Sequence, residues 1–256
     1  MQQATIRRDA LMGMWARVVP SGSRILPVLG GPLRGRRFCA NYSLRPHYLL
    51  GHYERPVTQI LRELIQPGQI AYDIGANTGY LSLVMAQLVR ARGERGQVYA
   101  FEPTPSAFRL LVTNSVLNQD LPIQAFSLAL SDSVGVEPFS CFEFDLVSRL
   151  GDHSEKYGDA AVIRTRVETL DHFFTEFALQ PPHFLKIDVE GAELQVLRGG
   201  KALLGEYRPT VLVETHSDEL DEGVLRMMRE LRYDCTTVSA GMPRHLLFTP
   251  GAQGDH

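Results

Sequence analysis

The chain has 256 residues, of which 44% are hydrophobic and 21% charged, a composition typical of a globular protein with one large core. No apolar run reaches the roughly 18 residues of a membrane span, and three scattered cysteines without a CxxC pair argue against a disulfide framework and predict a cytoplasmic location. Residues 1–50 carry a net charge of +7 and the remainder −10, so the acidic main body disfavours nucleic acid as the substrate.

The first 47 residues are predicted to form a basic N-terminal extension to a domain that spans residues 48–256. Apolar residues recur every four positions from Ile6 to Val18, which predicts a short amphipathic helix within residues 4–19. Such a helix caps the domain, forms a homodimer contact or lies on a membrane surface, and all three alternatives stay open. Glycine and proline breaks predict that residues 20–46 are irregular.

From residue 70 onward, predicted strands and helices alternate along the chain. The strands are expected at residues 70–74, 98–102, 123–130, 184–189 and 210–215, and the helices at 79–90, 105–118, 192–204 and 218–231. Two β-rich stretches, 134–144 and 160–170, flank a polar segment at 148–159 that is either a lid or a surface loop. Short strands at 234–238 and 244–249 end the chain. This order predicts a doubly wound, mostly parallel α/β sheet, in which ligands bind where the strand order reverses.

The first predicted strand ends in a glycine-containing turn, AYDIGANTG, at residues 71–79. Glycines permit a tight turn and a close ligand approach, and the following helix directs free N–H groups at the ligand. The carboxylate of Asp73 would repel a pyrophosphate, so the turn favours S-adenosylmethionine, which is cationic and has no phosphate, over a dinucleotide. Glu102 ends the next strand at about the offset where an acid accepts hydrogen bonds from ribose hydroxyls.

Several motifs, taken together, resemble the FkbM family of S-adenosylmethionine-dependent methyltransferases. The most specific is KIDVEGAE, at residues 186–193, and it is followed by VETH at residues 213–216. The other matching motifs, besides the glycine turn, are LGHYE (50–54), FEP (101–103), ALSD (129–132) and TLD (169–171). The resemblance covers roughly residues 48–216, in the order of the family.

The resemblance implies a seven-stranded, Rossmann-like methyltransferase sheet whose last strand is antiparallel to the others. It also implies O-methylation of a hydroxyl on a small molecule, such as a sugar, a glycolipid or a natural product. Carried over by position, the residues implied to bind S-adenosylmethionine are, from its methionine end to its adenine end, Asp73, Gly75, Asn77, Gly79, Tyr80, Glu102, Pro103, Ala129, Leu130 and Ser131.

Methyl transfer to a hydroxyl requires alignment of the acceptor and removal of its proton. His216 is predicted to be the general base, since the reference pKa of histidine lies closest to neutrality, and Asp188 is the second candidate. Lys186 either pairs with Asp188 or contacts the substrate. Alternatively, Asp188, Glu214 and His216 hold Mg²⁺ or Mn²⁺, which would lower the pKa of the acceptor hydroxyl. Asp188 and His216 each have a structural interpretation as well, as hydrogen-bonding groups at the ends of strands.

Two other functions compete with methyl transfer. An NAD-type oxidoreductase is disfavoured by the missing third glycine and by the acid at Asp73. A non-catalytic cofactor-binding protein on a methyltransferase scaffold would retain the glycine turn without using Asp188 and His216. Methyltransferases acting on DNA or RNA amino groups are expected to carry an Asn/Asp-Pro-Pro-aromatic run where this chain has IDVE.

Overall fold

A computed structural model describes residues 22–43, 45–141, 148–150, 161–239 and 241–251. The predicted helix within residues 4–19 and most of the polar segment 148–159 lie outside these residues. The strands, numbered in chain order, are β1 Arg24–Pro27, β2 Arg37–Ala40, β3 Ile70–Ile74, β4 Gln97–Phe101, β5 Ile123–Phe126, β6 Ala129–Ser131, β7 Gly135–Cys141, β8 Ser148–Leu150, β9 Ala161–Thr169, β10 Phe184–Ile187, β11 Thr210–Thr215, β12 Tyr233–Ser239 and β13 Arg244–Pro250. The helices are α1 Pro46–Leu50, α2 Arg55–Leu64, α3 Tyr80–Val89, α4 Pro105–Leu117, α5 Leu170–Glu176, α6 Glu193–Gly199, α7 Lys201–Tyr207 and α8 Asp218–Glu230.

Seven strands form the central sheet, in the order β12-β13-β11-β10-β3-β4-β5. Strands β11, β10, β3, β4 and β5 are mutually parallel, whereas β13 runs antiparallel to both of its neighbours. The predicted doubly wound sheet with an antiparallel last strand is therefore confirmed. The strand order reverses between β3 and β10, because the chain extends the sheet first on the β4 side of β3 and later on the β10 side.

Two predicted elements are divided in the structure. The single strand expected at residues 123–130 is two strands: β5 ends the central sheet, and β6 pairs with β9 in a separate four-stranded sheet of order β6-β9-β7-β8. A continuous apolar run does not reveal where a chain changes sheets. The single helix expected at 192–204 is split into α6 and α7 at Gly200, whose added Cβ would lie 2.9 Å from the Leu170 side chain.

The prediction that residues 20–46 are irregular is wrong in part, because β1 and β2 form an antiparallel hairpin. Leu33 and Phe38 in this segment are fully buried and share one core cluster with side chains of α2 and α3. Burying a large apolar side chain stabilises a fold by about 1.5–3 kcal/mol, so these two contacts anchor the hairpin to the sheet. Its apolar residues are too few and too interrupted to show this pairing in the sequence.

The two faces of the central sheet bury different cores. Along β3, the side chains of Ile70, Tyr72 and Ile74 enter a core with α5 to α8, whereas Ala71 faces the core formed with α1, α2 and α3. Successive side chains of a strand point to opposite faces, so Asp73 lies on the Ala71 face. Among the helices that the structure describes, none is long and apolar enough to cross a bilayer.

Candidate active site

Three charged side chains meet because of strand register. Lys186 of β10 is the register partner of Asp73 on β3, and both lie on the same face of the sheet. On β11, the register partner of Lys186 is Leu212, and Glu214 follows two residues later on the same face. Glu214 in turn pairs in register with His245 of β13. The carboxyl ends of β3, β10 and β11 thus present one row of ionisable groups at the point where the strand order reverses.

A buried ion network forms the floor of this region. The Lys186 ammonium lies 3.2 Å from Asp188 Oδ2 and 3.7 Å from Asp73 Oδ1. Burial lowers the pKa of Lys186, but the carboxylates of Asp188, Asp73, Glu54 and Glu214 outweigh it and leave the pKa raised. Burial raises the pKa of Asp73, against the opposing effect of Lys186. Lys186 therefore stays charged and holds several acids in one place.

The glycine turn after β3 is built around protein contacts rather than around open space. Gly75 has φ +83°, and a Cβ there would lie 1.7 Å from the carbonyl oxygen of Asp188. Gly79, at φ +84°, would place a Cβ 2.6 Å from the Leu111 side chain. These glycines let the turn pack against the loop after β10 and against α4, and Gly75 also lines the cleft described below.

Glu102, at the end of β4, is fixed by the same turn. Its Oε2 accepts a hydrogen bond from the backbone N–H of Asn77 at 2.8 Å, and its Oε1 accepts one from the N–H of Thr104, also at 2.8 Å. Burial raises the pKa of Glu102, although these hydrogen bonds oppose the shift. The two bonds hold the carboxyl plane in one orientation and leave lone pairs on both oxygens for a ligand.

Residues 45–54 form the wall that faces the glycine turn and the ion network. The only sequence signal for this wall was the LGHYE motif. The rings of Tyr48, in α1, and Tyr53 are tilted by 40° with centroids 4.6 Å apart, and each lies within 5.5 Å of the Tyr80 ring. The Tyr48 hydroxyl accepts a hydrogen bond from Thr78 at 3.2 Å. Glu54 follows this aromatic cluster as the residue that precedes α2. Isolated tyrosines give no signal of a site in sequence, because aromatic side chains are common in any core.

These walls border an open cleft whose empty space, counted together with the solvent at its mouth, is about 1050 Å³. Its charged lining residues are Arg45, Glu54, Asp73, Glu102, Lys186, Asp188, Glu190 and Glu214. Six of these eight are acids, so the cleft is strongly acidic. Such a lining favours a cationic ligand and opposes a pyrophosphate.

Most of the predicted cofactor residues line this cleft. Those that do are Asp73, Gly75, Asn77, Tyr80, Glu102, Pro103, Ala129 and Leu130. Gly79 is not among them, and it packs against α4. Ser131 is buried and is also absent from the lining that the structure describes; a Cβ on Gly199 would lie 2.0 Å from its carbonyl oxygen. Gly79 and Ser131 therefore belong to the predicted motifs but do not line the cleft with their neighbours in sequence.

Two buried polar atoms in the cleft fit a polar, cationic ligand such as S-adenosylmethionine. The Tyr80 hydroxyl has no hydrogen-bond partner among the described residues, and Asp73 Oδ1 has none beyond the Lys186 ammonium at 3.7 Å, although both side chains are buried. A buried polar group without a partner costs about 1–3 kcal/mol, so a ligand that bonds to these atoms recovers that energy. The residues present therefore suit the predicted cofactor.

His216 does not line the cleft, in contrast to the other three predicted catalytic residues, Lys186, Asp188 and Glu214. β11 ends at Thr215, so the alternation that brings Glu214 into the cleft stops before His216. The Nε2 atom of His216 lies 3.7 Å from Asp188 Oδ1, 3.6 Å from Glu190 Oε2 and 3.8 Å from Glu193 Oε1. Burial lowers the pKa of His216, but these acids raise it to about 9. His216 holds its proton at neutral pH and does not fit the predicted role of general base.

The three predicted metal ligands are not brought together. Ligand atoms of Asp188 and His216 lie within 4.8 Å of one another in a group with Glu193, whereas Glu214 belongs to a group with Glu54 and His245. The Lys186 ammonium already neutralises Asp188, and Glu193 accepts hydrogen bonds from the backbone N–H groups of Val189 and Gly191. The set Asp188, Glu214 and His216 does not fit Mg²⁺ or Mn²⁺ in this arrangement.

A seven-stranded sheet of this order, with an acidic cleft at its switch point, is the Rossmann-like fold of α/β methyltransferases. The match to a family model makes the assignment specific: the model of the methyltransferase FkbM domain matches residues 73–235, which is more than half of the chain. The chain belongs to the FkbM methyltransferase family.

The chain is similar to several known proteins. It is 29% identical over 171 residues to methyltransferase sdnD of Sordaria araneosa, and the alignment covers 56% of this chain and 64% of sdnD. It is 25% identical over 181 residues to the hexuronic acid methyltransferase AglP of Haloferax volcanii, covering 70% of this chain and 69% of AglP. The crystal structure of methyltransferase FkbM from Methylobacillus flagellatus KT has the same fold, with a TM-score of 0.51 and 16% identity over 81% of this chain and 53% of that one.

Proposed function

We propose that this protein transfers a methyl group from S-adenosylmethionine to a hydroxyl oxygen of a small molecule, with a carbohydrate as the first acceptor class to test. The observation that carries the proposal is the acidic cleft at the switch point, in which Glu102 is oriented by two backbone N–H groups. The similarity to AglP, whose name specifies a hexuronic acid, supports an oxygen-rich acceptor.

The cofactor half of the proposal follows from charge and geometry. S-adenosylmethionine is a cation with an ammonium and a sulfonium, which suits a cleft lined by six acids. Glu102 has free lone pairs for the two ribose hydroxyls, and Asp73 Oδ1 with the Tyr80 hydroxyl offers unsatisfied polar atoms for the methionine end. Ala129 and Leu130 line the cleft with apolar side chains, which suit contact with the adenine.

The chemistry that the cofactor supplies when bound is an electrophilic methyl carbon. The chain's own residues bind and orient the two reactants, because an in-line displacement depends on alignment. Asp188, whose pKa is set by burial that raises it and by Lys186 and His216 that lower it to about 2, is an anion at all physiological pH values. Asp188 and Glu214 would accept hydrogen bonds from the acceptor, and Lys186 keeps both carboxylates in position.

Binding measurements test the cofactor half. Calorimetry with S-adenosylmethionine and with NAD should detect only the former. Replacing Glu102 by Gln removes a charged acceptor of ribose hydroxyls, and a hydrogen bond to a charged group contributes about 1.5–3 kcal/mol, so the affinity should fall by about 10- to 150-fold. Glu94→Gln, an exposed change of the same chemistry, should bind as the wild type does. Tight NAD binding without S-adenosylmethionine binding would refute the proposal.

A product assay tests the acceptor half. Wild-type protein and isotopically labelled S-adenosylmethionine should be incubated with a panel of sugars, uronic acids, nucleotide sugars and glycolipids. Mass spectrometry of the products should find a methyl ether on a hydroxyl oxygen. Methylation found solely on nitrogen or carbon would contradict the O-methyltransferase assignment.

A further inference from the structure

Glu54 lies in the cleft but has no role in the site as predicted from sequence. It follows the aromatic cluster in the loop between α1 and α2 and faces the ion network on the floor. Its carboxylate belongs to the group with Glu214 and His245, whose ligand atoms all lie within 4.8 Å of one another. The match to the family model begins at residue 73, so it assigns no function to Glu54.

Two features of Glu54 indicate more than a structural contact. Its backbone is left-handed, at φ 42° and ψ 54°, a conformation that costs a non-glycine residue about 1–3 kcal/mol and is concentrated at functional sites. Its Oε2 atom is buried and has no hydrogen-bond partner among the described residues. The backbone is thus held in an unfavourable conformation that leaves one carboxylate oxygen unsatisfied in the cleft.

The surroundings of Glu54 bring its titration close to neutrality. Burial is the largest influence and raises its pKa, Lys186 lowers it, and the charges of Asp188 and Glu214 raise it again, with a net pKa of about 7. A hydrogen bond with Tyr53 also lowers it. The titratable and charged groups that face Glu54 from the neighbouring elements are Tyr48, Tyr53, Lys186, Asp188, Glu214 and His245.

This pKa suits proton abstraction better than that of either residue predicted from sequence. A general base works best when its pKa lies near the operating pH, since it must be both unprotonated and basic. Asp188, with a pKa of about 2, is too weak a base, and His216, with a pKa of about 9, already carries a proton. Glu54, raised to a pKa of about 7, is partly ionised at neutral pH and can accept a proton there.

We infer that Glu54 is the general base that deprotonates the acceptor hydroxyl during methyl transfer. The inference rests on the proposed function, because an O-methyltransferase acting on an unactivated hydroxyl needs a base. The acceptor O–H bond breaks and its proton moves to the unpartnered Oε2 of Glu54. The acceptor oxygen forms a bond to the methyl carbon as the carbon–sulfur bond breaks, and the electron pair of that bond stays on sulfur. The products are a methyl ether, a neutral thioether and protonated Glu54, which returns its proton to solvent.

The test compares Glu54→Gln with Glu63→Gln, an exposed substitution on α2. With the hydroxyl acceptor found for the wild type, kcat of Glu54→Gln should fall by about 10²- to 10⁴-fold, the usual contribution of a general base, while Glu63→Gln keeps wild-type turnover. The wild-type kcat/KM should rise with pH through a midpoint near 7, and this rise should be absent from the residual activity of Glu54→Gln. S-adenosylmethionine affinity should be the same in all three proteins, which separates catalysis from binding.

A structural role makes different predictions. Because the raised pKa means that ionised Glu54 destabilises the fold, Glu54→Gln should melt no lower than the wild type at pH 8, whereas loss of a structural contact would lower the melting temperature. Turnover of Glu54→Gln within threefold of the wild type would overturn the inference while leaving the proposed function intact. A wild-type acceptor that is a carboxylate, which needs no deprotonation, would overturn the inference and also the hydroxyl acceptor of the proposed function.

A measurement on the protein itself decides the case without turnover. A carboxyl ¹³C NMR titration of protein labelled at glutamate should show one resonance with a midpoint near pH 7, missing from Glu54→Gln and retained in Glu63→Gln. A Glu54 resonance that titrates below pH 5 would overturn the inference. Failure of wild-type methyl transfer on every acceptor would count against the proposed function, and this titration would remain a separate result.

Discussion

The buried Lys186 makes a strong prediction, since removing its charge leaves several carboxylates buried and uncompensated. At an effective dielectric constant of about 20, an ammonium 3.2 Å from Asp188 Oδ2 and 3.7 Å from Asp73 Oδ1 is attracted by about 5 and about 4.5 kcal/mol, respectively. Desolvation offsets part of this attraction, and breaking a buried pair typically costs about 3–5 kcal/mol. Lys186→Met should therefore lower the free energy of unfolding at pH 7 by about 3–5 kcal/mol.

Urea denaturation at several pH values measures this effect. In the wild type, the pKa of Asp188 is lowered to about 2, so its ion pair survives mild acid. Without Lys186, burial raises the pKa of Asp188, and the carboxylate becomes neutral as the pH falls. The deficit of Lys186→Met should shrink between pH 7 and pH 4, and adding Asp188→Asn at pH 7 should restore part of the stability. Lys201→Met, an exposed change, is the control. A loss below about 1 kcal/mol, or one independent of pH, would refute the reasoning.

Two further substitutions test the turn and the histidine. Gly75→Ala should lower the free energy of unfolding by at least about 2 kcal/mol, because φ +83° alone costs a residue with a Cβ about 1–2 kcal/mol and that Cβ would overlap the Asp188 carbonyl. The control is Gly135→Ala, where nothing lies within 4 Å of the added Cβ, and it should change the free energy of unfolding by about 0.5 kcal/mol or less. His216, whose pKa is raised from 6.5 to about 9, contributes stability that is complete below pH 6.5 and is lost as the pH rises through 9, by at most about 3 kcal/mol. The unfolding free energy of His216→Gln should lack this decline, and exposed His52→Gln should retain it.

Equal pH slopes in the wild type and His216→Gln would show that the acids around this histidine do not stabilise its charge. Likewise, a Gly75→Ala protein with the same melting temperature as the wild type would show that the loop after β10 can move away from the turn. Both outcomes are readily detected by calorimetry at a fixed protein concentration.

Local sequence was enough to predict the doubly wound sheet and most of the residues that line one side of the cleft. Alternating strands and helices predicted the doubly wound fold, and the glycine turn with Asp73 and Glu102 predicted a cleft for a cationic nucleoside. These signals are local because each consists of a strand, a turn and the start of a helix within a few residues. The contacts of Glu102 with Asn77 and Thr104 also lie close along the chain.

The half of the site that we propose to deprotonate the acceptor was decided by tertiary structure. Glu54, Lys186, Glu214 and His245 come from four separate elements, and strand register and packing alone bring them together. The pKa values depend on the same contacts: a histidine by itself predicts a base, but three nearby acids raise the pKa of His216 to about 9 and favour its protonated form at neutral pH. The charge state of a buried group depends on its burial and on neighbours that are distant in sequence, so the composition of a motif does not determine it.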